Sequence, residues 1–427
     1  MTATTTHAET ACADAACLDG VDLSALAHRV GTPCYVYSAS AIRQRAAALQ
    51  AALRGLDAHV HYAVKANSNL AILQLMAEAG FGADIVSVGE LWRSVRAGIP
   101  PERIVFSGVG KTADEITEAL AAGVARFNVE SADELHLLER VAAARDVTTR
   151  ASVRINPDVD ANTHAKISTG KSENKFGVGI DEARRWFAHV ASLPHVRLDG
   201  LHVHIGSQML SLDPIRTALR RVAGFRRELV AAGHVIGSID IGGGLGVCYR
   251  EGHDRPVPIE DYVEVIRDAL ADFEGRILLE PGRWLVAEAG MLLTRVIRIK
   301  EGQQRRFLVL DAAMTELARP SLYDAWHDML PLTPEPRTPQ TYDVVGPVCE
   351  TGDTFARDRV LPECKPGDLV MIKATGAYGA AMASTYNSRP LAPEVLLDRG
   401  CYAVVRRRQT FEEMVTGEQA AQRWEHA

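Results

Sequence analysis

From residue 58 onward the chain alternates, eight times over, between a short β-rich run and a longer helical one. The β-rich runs fall at about 59–66 (HVHYAVKA), 83–88 (ADIVSV), 103–109 (RIVFSGV), 125–130 (ARFNVE), 151–156 (ASVRIN), 200–206 (GLHVHIG), 237–241 (GSIDI) and 276–281 (RILLEP). Between them lie Ala-, Leu-, Glu- and Arg-rich segments such as 70–79, 112–122, 132–144, 214–232 and 259–273. A strand that meets the next only after a helical crossover lies parallel to it. Eight such units in about 230 residues favour a closed (β/α)8 barrel, with an open doubly wound sheet as the structural rival. One connection, 157–181, is long for a βα loop. Its Gly, Ser, Lys and Asn content predicts a mobile cover over the barrel mouth.

After residue 290 the texture changes to β-rich runs, MLLTRVIRI, RRFLVLDA, TYDVVGPVC, GDLVMIKA and CYAVVRRR, separated by turn signals. That pattern predicts a predominantly β C-terminal domain, joined by an early strand at 33–38. The expected organisation is a flexible tail over 1–20, a barrel over 39–290, and a β domain made of 21–38 plus 291–427. The first 20 residues lack the basic start and apolar core of a secretory signal. No apolar run has the length of about 18 residues needed to span a membrane.

Charge narrows the function classes. Lys plus Arg number 47 against 54 Asp plus Glu, a formal charge of −7, without the basic footprint of a nucleic-acid binder or of a protein docked on anionic membranes. Seven cysteines, an odd number with no CxxC pair, argue against a disulfide framework or zinc module and predict reduced thiols in the cytoplasm.

In a barrel the chemistry gathers at the C-terminal ends of the strands. The first strand ends at Lys65, and a lysine there is either a solvated rim residue or a Schiff-base lysine. The sixth carries His202 and His204, readable as core histidines, a metal pair, or a ring stacked on a flat cofactor. The seventh runs into Gly242-Gly243-Gly244, a tight turn or a loop whose bare N–H groups hold a phosphate. The eighth ends in Glu280-Pro281-Gly282-Arg283. Glu280 either pairs with Arg283 or faces a pyridine nitrogen, keeping it protonated as an electron sink requires. Lysine, phosphate loop, aromatic platform and carboxylate together are the parts a barrel needs to hold pyridoxal phosphate. No metal is expected.

Several longer stretches carry a family resemblance: HYAVKANSN, FGADIVSVGEL, FSGVGK, FNVES, RINPDVDANTHAKISTGKSENKFG, HVHIGSQ, DIGGGLG, EPGRWLVAEAG, RPSLYDAWH, VVGPVCETGD and GAYGAAMASTYNSRP. Over about residues 22–415 the chain resembles the barrel-type pyridoxal-phosphate decarboxylases, and most closely the diaminopimelate decarboxylase family. The resemblance implies a (β/α)8 barrel, a C-terminal β domain, and a homodimer whose active sites are shared between subunits. It implies decarboxylation of meso-2,6-diaminopimelate to L-lysine and CO2, the last step of bacterial lysine biosynthesis. It implies Lys65 as the cofactor's covalent anchor and His204 as the stacked ring. Ser207, Gly242, Gly243, Gly244 and the backbone of Pro281, Gly282 and Arg283 become phosphate ligands, with Tyr378 a further phosphate and substrate contact. Glu280 becomes the partner of the pyridine nitrogen. Arg283, Arg319 and Tyr323 resemble a clamp on the substrate's distal carboxylate. Cys349 resembles the proton donor and Glu350 the contact to the distal amino group, both reaching in from the partner subunit. Thr315 and Thr385 stand where the family often has Asn. An ornithine-, arginine- or carboxynorspermidine-type decarboxylase is the alternative on the same fold. Arg319 and Glu350 oppose it, because a substrate without a distal carboxylate needs no clamp.

Overall fold

The computed structural model describes residues 16–160, 175–189, 192–332 and 336–421. The chain forms two compact units: Ala41–Gly290 with Ala374–Ala381, and residues up to Ser40 with Met291–Lys373 and Met382 onward. The first unit is a closed barrel of eight parallel strands. In chain order they are β1 (Ala58–Ala63), β2 (Gly82–Ile85), β3 (Ile104–Phe106), β4 (Arg126–Val129), β5 (Thr149–Arg154), β6 (Val196–His202), β7 (Ser238–Asp240) and β8 (Arg276–Leu279). β8 pairs with β7 and also with β1, through Ile277↔Ala58 and Leu279↔Val60. That closing pair removes the open-sheet rival.

Local sequence explains the alternation. Thr112 and Glu115 form a capping box at the start of the helix Ala113–Ala122, which ends at Gly123 in the left-handed conformation. Ser87 and Ser131 cap the helices Val88–Arg96 and Ala132–Ala144 through the amides of Glu90 and Glu134. Each of these caps follows a barrel strand, Ser87 and Ser131 by two residues and Thr112 by six. Ser40 lies in the first turn of the helix Ala39–Ala52 and its hydroxyl donates to Asp19.

The second unit is a nine-stranded sheet in which Cys34–Ser38 lies between Gly290–Glu301 and Glu394–Asp398. Cys34, Val36, Leu293, Leu369, Met371, Val395 and Leu397 pack into its core with Leu23 and Leu26. Burial pushes the Cys34 thiol up to about 12, so it packs as a small apolar group. Three strands here escaped the sequence reading, the shortest being Met329–Pro331. Thr354–Pro362 carries three consecutive charged residues, Arg357, Asp358 and Arg359, that break the apolar alternation; Glu394–Asp398 is short and flanked by charge. Ala374–Ala381, read as part of the β domain, belongs to the barrel unit. Within the stretch read as a tail, Cys17–Leu18 pairs antiparallel with Val21–Asp22. Cys34, Cys248, Cys349, Cys364 and Cys401 are free thiols. Cys17 is disulfide-bonded, a departure from the expectation of reduced thiols throughout. Positions 161–174 of the expected cover lie outside the described residues.

Candidate active site

Lys65 sits in a single 3-10 turn, Val64–Ala66, that follows β1 directly. Its Nζ donates to Asp84 Oδ2 at 2.6 Å; the Asp84 side chain is fully buried and that of Lys65 is 39% exposed. Burial opposes the ammonium, but Asp84, Glu280 and Tyr378 outweigh it and its pKa is raised. A buried carboxylate without such a partner would cost several kcal/mol. Lys65 is therefore held charged and aimed by Asp84 of β2, its side chain part-buried.

Across the barrel, Glu280 follows β8 and is buried. Its Oε1 accepts from Asn128 Nδ2 at 3.2 Å and from Ser107 Oγ at 3.4 Å. Its Oε2 lies 3.3 Å from Nε2 of His202, within ion-pair reach although off the hydrogen-bond line. Burial would raise the Glu280 pKa, yet His202, Lys65 and His204 hold it well below the usual carboxylate range. His202 is shifted the other way: burial disfavours its charge, but Glu280 and Asp240 raise its pKa. Asp240 is pushed up to about 8 by burial and by the Glu280 charge. Three strand ends thus share protons so that Glu280 is the group left ionised.

His202, Asp240 and Glu280 are the groups that converge here, their ligand atoms within 4.8 Å of one another. Asp240 Oδ1 is taken by the Gly242 N–H and Oδ2 by Asn128, so the carboxylates already have protein donors. His204 lies just beyond β6, half-buried, and its Nδ1 accepts from the Gly243 N–H at 3.2 Å. Burial, with the charges of Arg154 and Lys65, pushes its pKa down to about 3. The ring is neutral, as a stacking platform should be.

The glycine run lets three loops close on one another. A Cβ on Gly243 would stand 2.3 Å from the Glu280 carbonyl oxygen, and one on Gly244 2.3 Å from the Gly206 carbonyl oxygen. Gly244 also has φ +107°, which L side chains rarely adopt. Gly242–Leu245 and Pro281–Arg283 line one small cavity. Among the described residues no hydrogen bond takes up the N–H of Gly244 or Gly282. Of the two readings open for Glu280, the ion pair with Arg283 is not among the contacts found between described residues. The buried Arg283 donates through Nε and Nη2 to Ser207 Oγ at 3.2 and 2.9 Å, and through Nη1 to Tyr249 Oη at 2.5 Å. Its guanidinium also lies 4.7 Å from the centroid of the Tyr378 ring. Tyr378 reaches this position because its N–H donates to Ala66 and Gly376 O accepts from Asn67.

The remaining candidates belong to the β unit. Arg319 opens the short helix Arg319–Tyr323, is buried, and meets Nε2 of His327 at 2.8 Å. Tyr323 is half-buried, while Cys349 and Glu350 are exposed. The Cys349 N–H donates to Asn387 Oδ1, and Glu350 Oε1 accepts from Gly352.

Pyridoxal phosphate demands an amine, an ionised carboxylate for its ring nitrogen, a flat neutral neighbour and bare N–H groups for its phosphate. Lys65, Glu280, His204 and the Gly244 and Gly282 amides meet those demands at the ends of β1, β8, β6 and β7. The residues present fit the group. Sequence reading gave no role to Asp84, Ser107, Asn128, Asp240 or Tyr249. A charged or amide residue centred in an apolar strand, as in ADIVSV, FNV and SIDI, was the available signal.

Residues 39–287 match the family described as pyridoxal-dependent decarboxylase, pyridoxal binding domain. A diaminopimelate decarboxylase of Zymomonas mobilis is 48% identical over 406 residues, covering 94% of this chain and 96% of that protein. One from Pseudomonas aeruginosa is 48% identical, with 94% and 96% covered. The crystal structure of the Helicobacter pylori diaminopimelate decarboxylase complexed with L-lysine superposes with a TM-score of 0.89 at 43% identity, covering 93% of this chain and 99% of that one. The chain belongs to the pyridoxal-dependent decarboxylases, and within them to the diaminopimelate decarboxylase family.

Proposed function

We propose that this chain removes one carboxylate of meso-2,6-diaminopimelate to give L-lysine and CO2, the closing step of bacterial lysine biosynthesis. The observation that carries the reading is the pairing, in one barrel mouth, of the Asp84-anchored Lys65 amine with a Glu280 carboxylate kept ionised by buried neighbours. The names of the most similar relatives support the choice of substrate.

Pyridoxal phosphate, when bound, supplies a conjugated ring that accepts the electron pair left behind as CO2 departs. Lys65 would anchor it and Glu280 would keep its ring nitrogen protonated. His204 would cover one face of the ring. Ser207, the Gly242–Gly244 loop, the backbone of Pro281–Arg283 and Tyr378 would hold the phosphate. The proton that replaces the lost carboxylate must come from an acid beside the substrate α-carbon. Cys349 is assigned that task, since a thiol can donate at neutral pH. Arg283, Arg319 and Tyr323 are assigned to the distal carboxylate and Glu350 to the distal ammonium, because a selective site must satisfy both charges.

The active species is a homodimer with shared sites, Cys349 and Glu350 being supplied to each mouth by the partner subunit. The exposure of both residues on the isolated chain supports that reading. The protein acts in the cytoplasm on a small molecule, without nucleic acid or membrane; no helix among the described residues is long and apolar enough to cross a bilayer. A product assay with meso-diaminopimelate beside lysine, ornithine and arginine tests the proposal. Lysine and CO2 should form from diaminopimelate alone. Comparable kcat/KM on ornithine or arginine would overturn it.

A further inference from the structure

A cavity of about 670 Å³ opens at the other end of the barrel from Lys65. Its lining comes from the beginnings of the strands, among them Ala58 of β1, Gly82 of β2, Ser238 of β7 and Arg276 of β8. Five arginines line it, Arg54, Arg103, Arg126, Arg150 and Arg276, against one carboxylate, Glu102. In a chain of net charge −7 that is a local inversion of sign.

The arginines are not neutralised from within. Arg126 and Arg150 share a single carboxylate, Asp199, at 2.8 and 3.4 Å. Arg103 donates only to the Gly80 carbonyl. Arg54 and Arg276 have no ion pair among the described residues. Like charges around a concave, low-dielectric wall raise a field that a small anion relieves.

The floor points the same way. Ser238 is 1% exposed and His61 is 7% exposed, and Ser238 Oγ and His61 Nδ1 have no hydrogen-bond partner. Burial pushes the His61 pKa down to about 4, so its ring is neutral and Nδ1 still requires a partner. Gly200 makes the floor possible: a Cβ there would stand 2.5 Å from Arg126 Nη1 and 2.8 Å from Ser238 Oγ. The volume lies within the range of metabolite pockets, roughly 300–1,000 Å³, and well above that of a single water.

We propose that this N-terminal mouth of the barrel binds a small multivalent anion, an organic phosphate or polycarboxylate, with Arg150 and Arg276 at the rim and Ser238 and His61 at the floor. The site shares no residue with the catalytic mouth, and the proposal does not depend on the substrate assigned there.

Calorimetric titration of the holoenzyme at fixed ionic strength tests it, with pyrophosphate and citrate as the two probes. Saturable binding of one probe per chain is expected, and the tighter probe identifies the class. The Arg150→Gln/Arg276→Gln variant should bind at least tenfold more weakly, while the visible spectrum of the bound cofactor and the turnover stay unchanged. Ser238→Ala, a smaller change, should weaken binding several-fold. No saturable heat from either probe, or equal affinity in wild type and double variant, would overturn the proposal. So would inhibition of turnover by the probe that is identical in both proteins, since that places the anion at the catalytic mouth.

Discussion

The two units hold their candidate residues in opposite ways. In the barrel, Lys65, Asp84, Asp240, His202 and Glu280 are locked by direct contacts, and most are fully buried. In the β unit, Cys349 and Glu350 are exposed, held by little beyond their own loop, and only Arg319 is buried. A preorganised charge network is needed where charge develops during the reaction, because its groups must not move as it forms. Cys349 and Glu350, proposed as proton donor and distal-ammonium contact, can wait in a more open place until a partner surface and the substrate enclose them. The difference teaches that the buried charge network lies within one fold unit, whereas the proposed proton donor and distal contacts lie in the other and are proposed to be completed by assembly.

The sharpest test of the barrel half is Lys65→Ala, which should reduce turnover by at least about a thousandfold and remove the visible absorbance of the bound cofactor. Borohydride trapping followed by peptide mapping would identify another lysine if the assignment is wrong. For the β half, Arg319→Ala and Glu350→Gln should each lower kcat/KM on meso-diaminopimelate by about 30-fold to a few thousandfold, the range for removing one partner of a buried charge pair. The cofactor spectrum should not change, and any residual activity on lysine should suffer far less from Arg319→Ala. A folded, yellow Arg319→Ala enzyme with near wild-type kinetics would return Arg319 to a structural role beside His327.

Mixing the halves sharpens the comparison further. Lys65→Ala and Cys349→Ala proteins should each be nearly inactive alone. Re-equilibrated in equal amounts, half the dimers carry both variants and one of their two sites is intact, so roughly a quarter of wild-type activity should return. No recovery despite verified subunit exchange would mean that each chain completes its own site.

The smallest expected effect is on stability. His61 in the barrel has a pKa pushed down to about 4 by burial, against about 6.5 when unfolded. Between those values the unfolded chain binds more protons, so this contribution is complete above about pH 6.5 and is lost as pH falls towards 4. It amounts to at most about 3 kcal/mol. His61→Gln should flatten the decline of Tm between pH 6.5 and 4. Parallel Tm curves for variant and wild type would place the acid sensitivity elsewhere.

The sequence by itself determined the eightfold alternation, the strand ends that hold Lys65, His204 and Glu280, and the glycine run, because these depend on period, propensity and local caps. The motif stretches also carried the family. Tertiary structure alone decided that β8 closes on β1, that Asp84 rather than solvent receives Lys65, and that Arg283 turns to Ser207 and Tyr249 instead of Glu280. It also decided that His202 joins Asp240 and Glu280 instead of His204, and that Ala374–Ala381 returns to the barrel to bring Tyr378 over Arg283. The physical reason is range. Strand period and helix caps act over a few neighbours, whereas a buried charge takes whatever partner the closed barrel brings within about 3 Å, however far along the chain that partner lies.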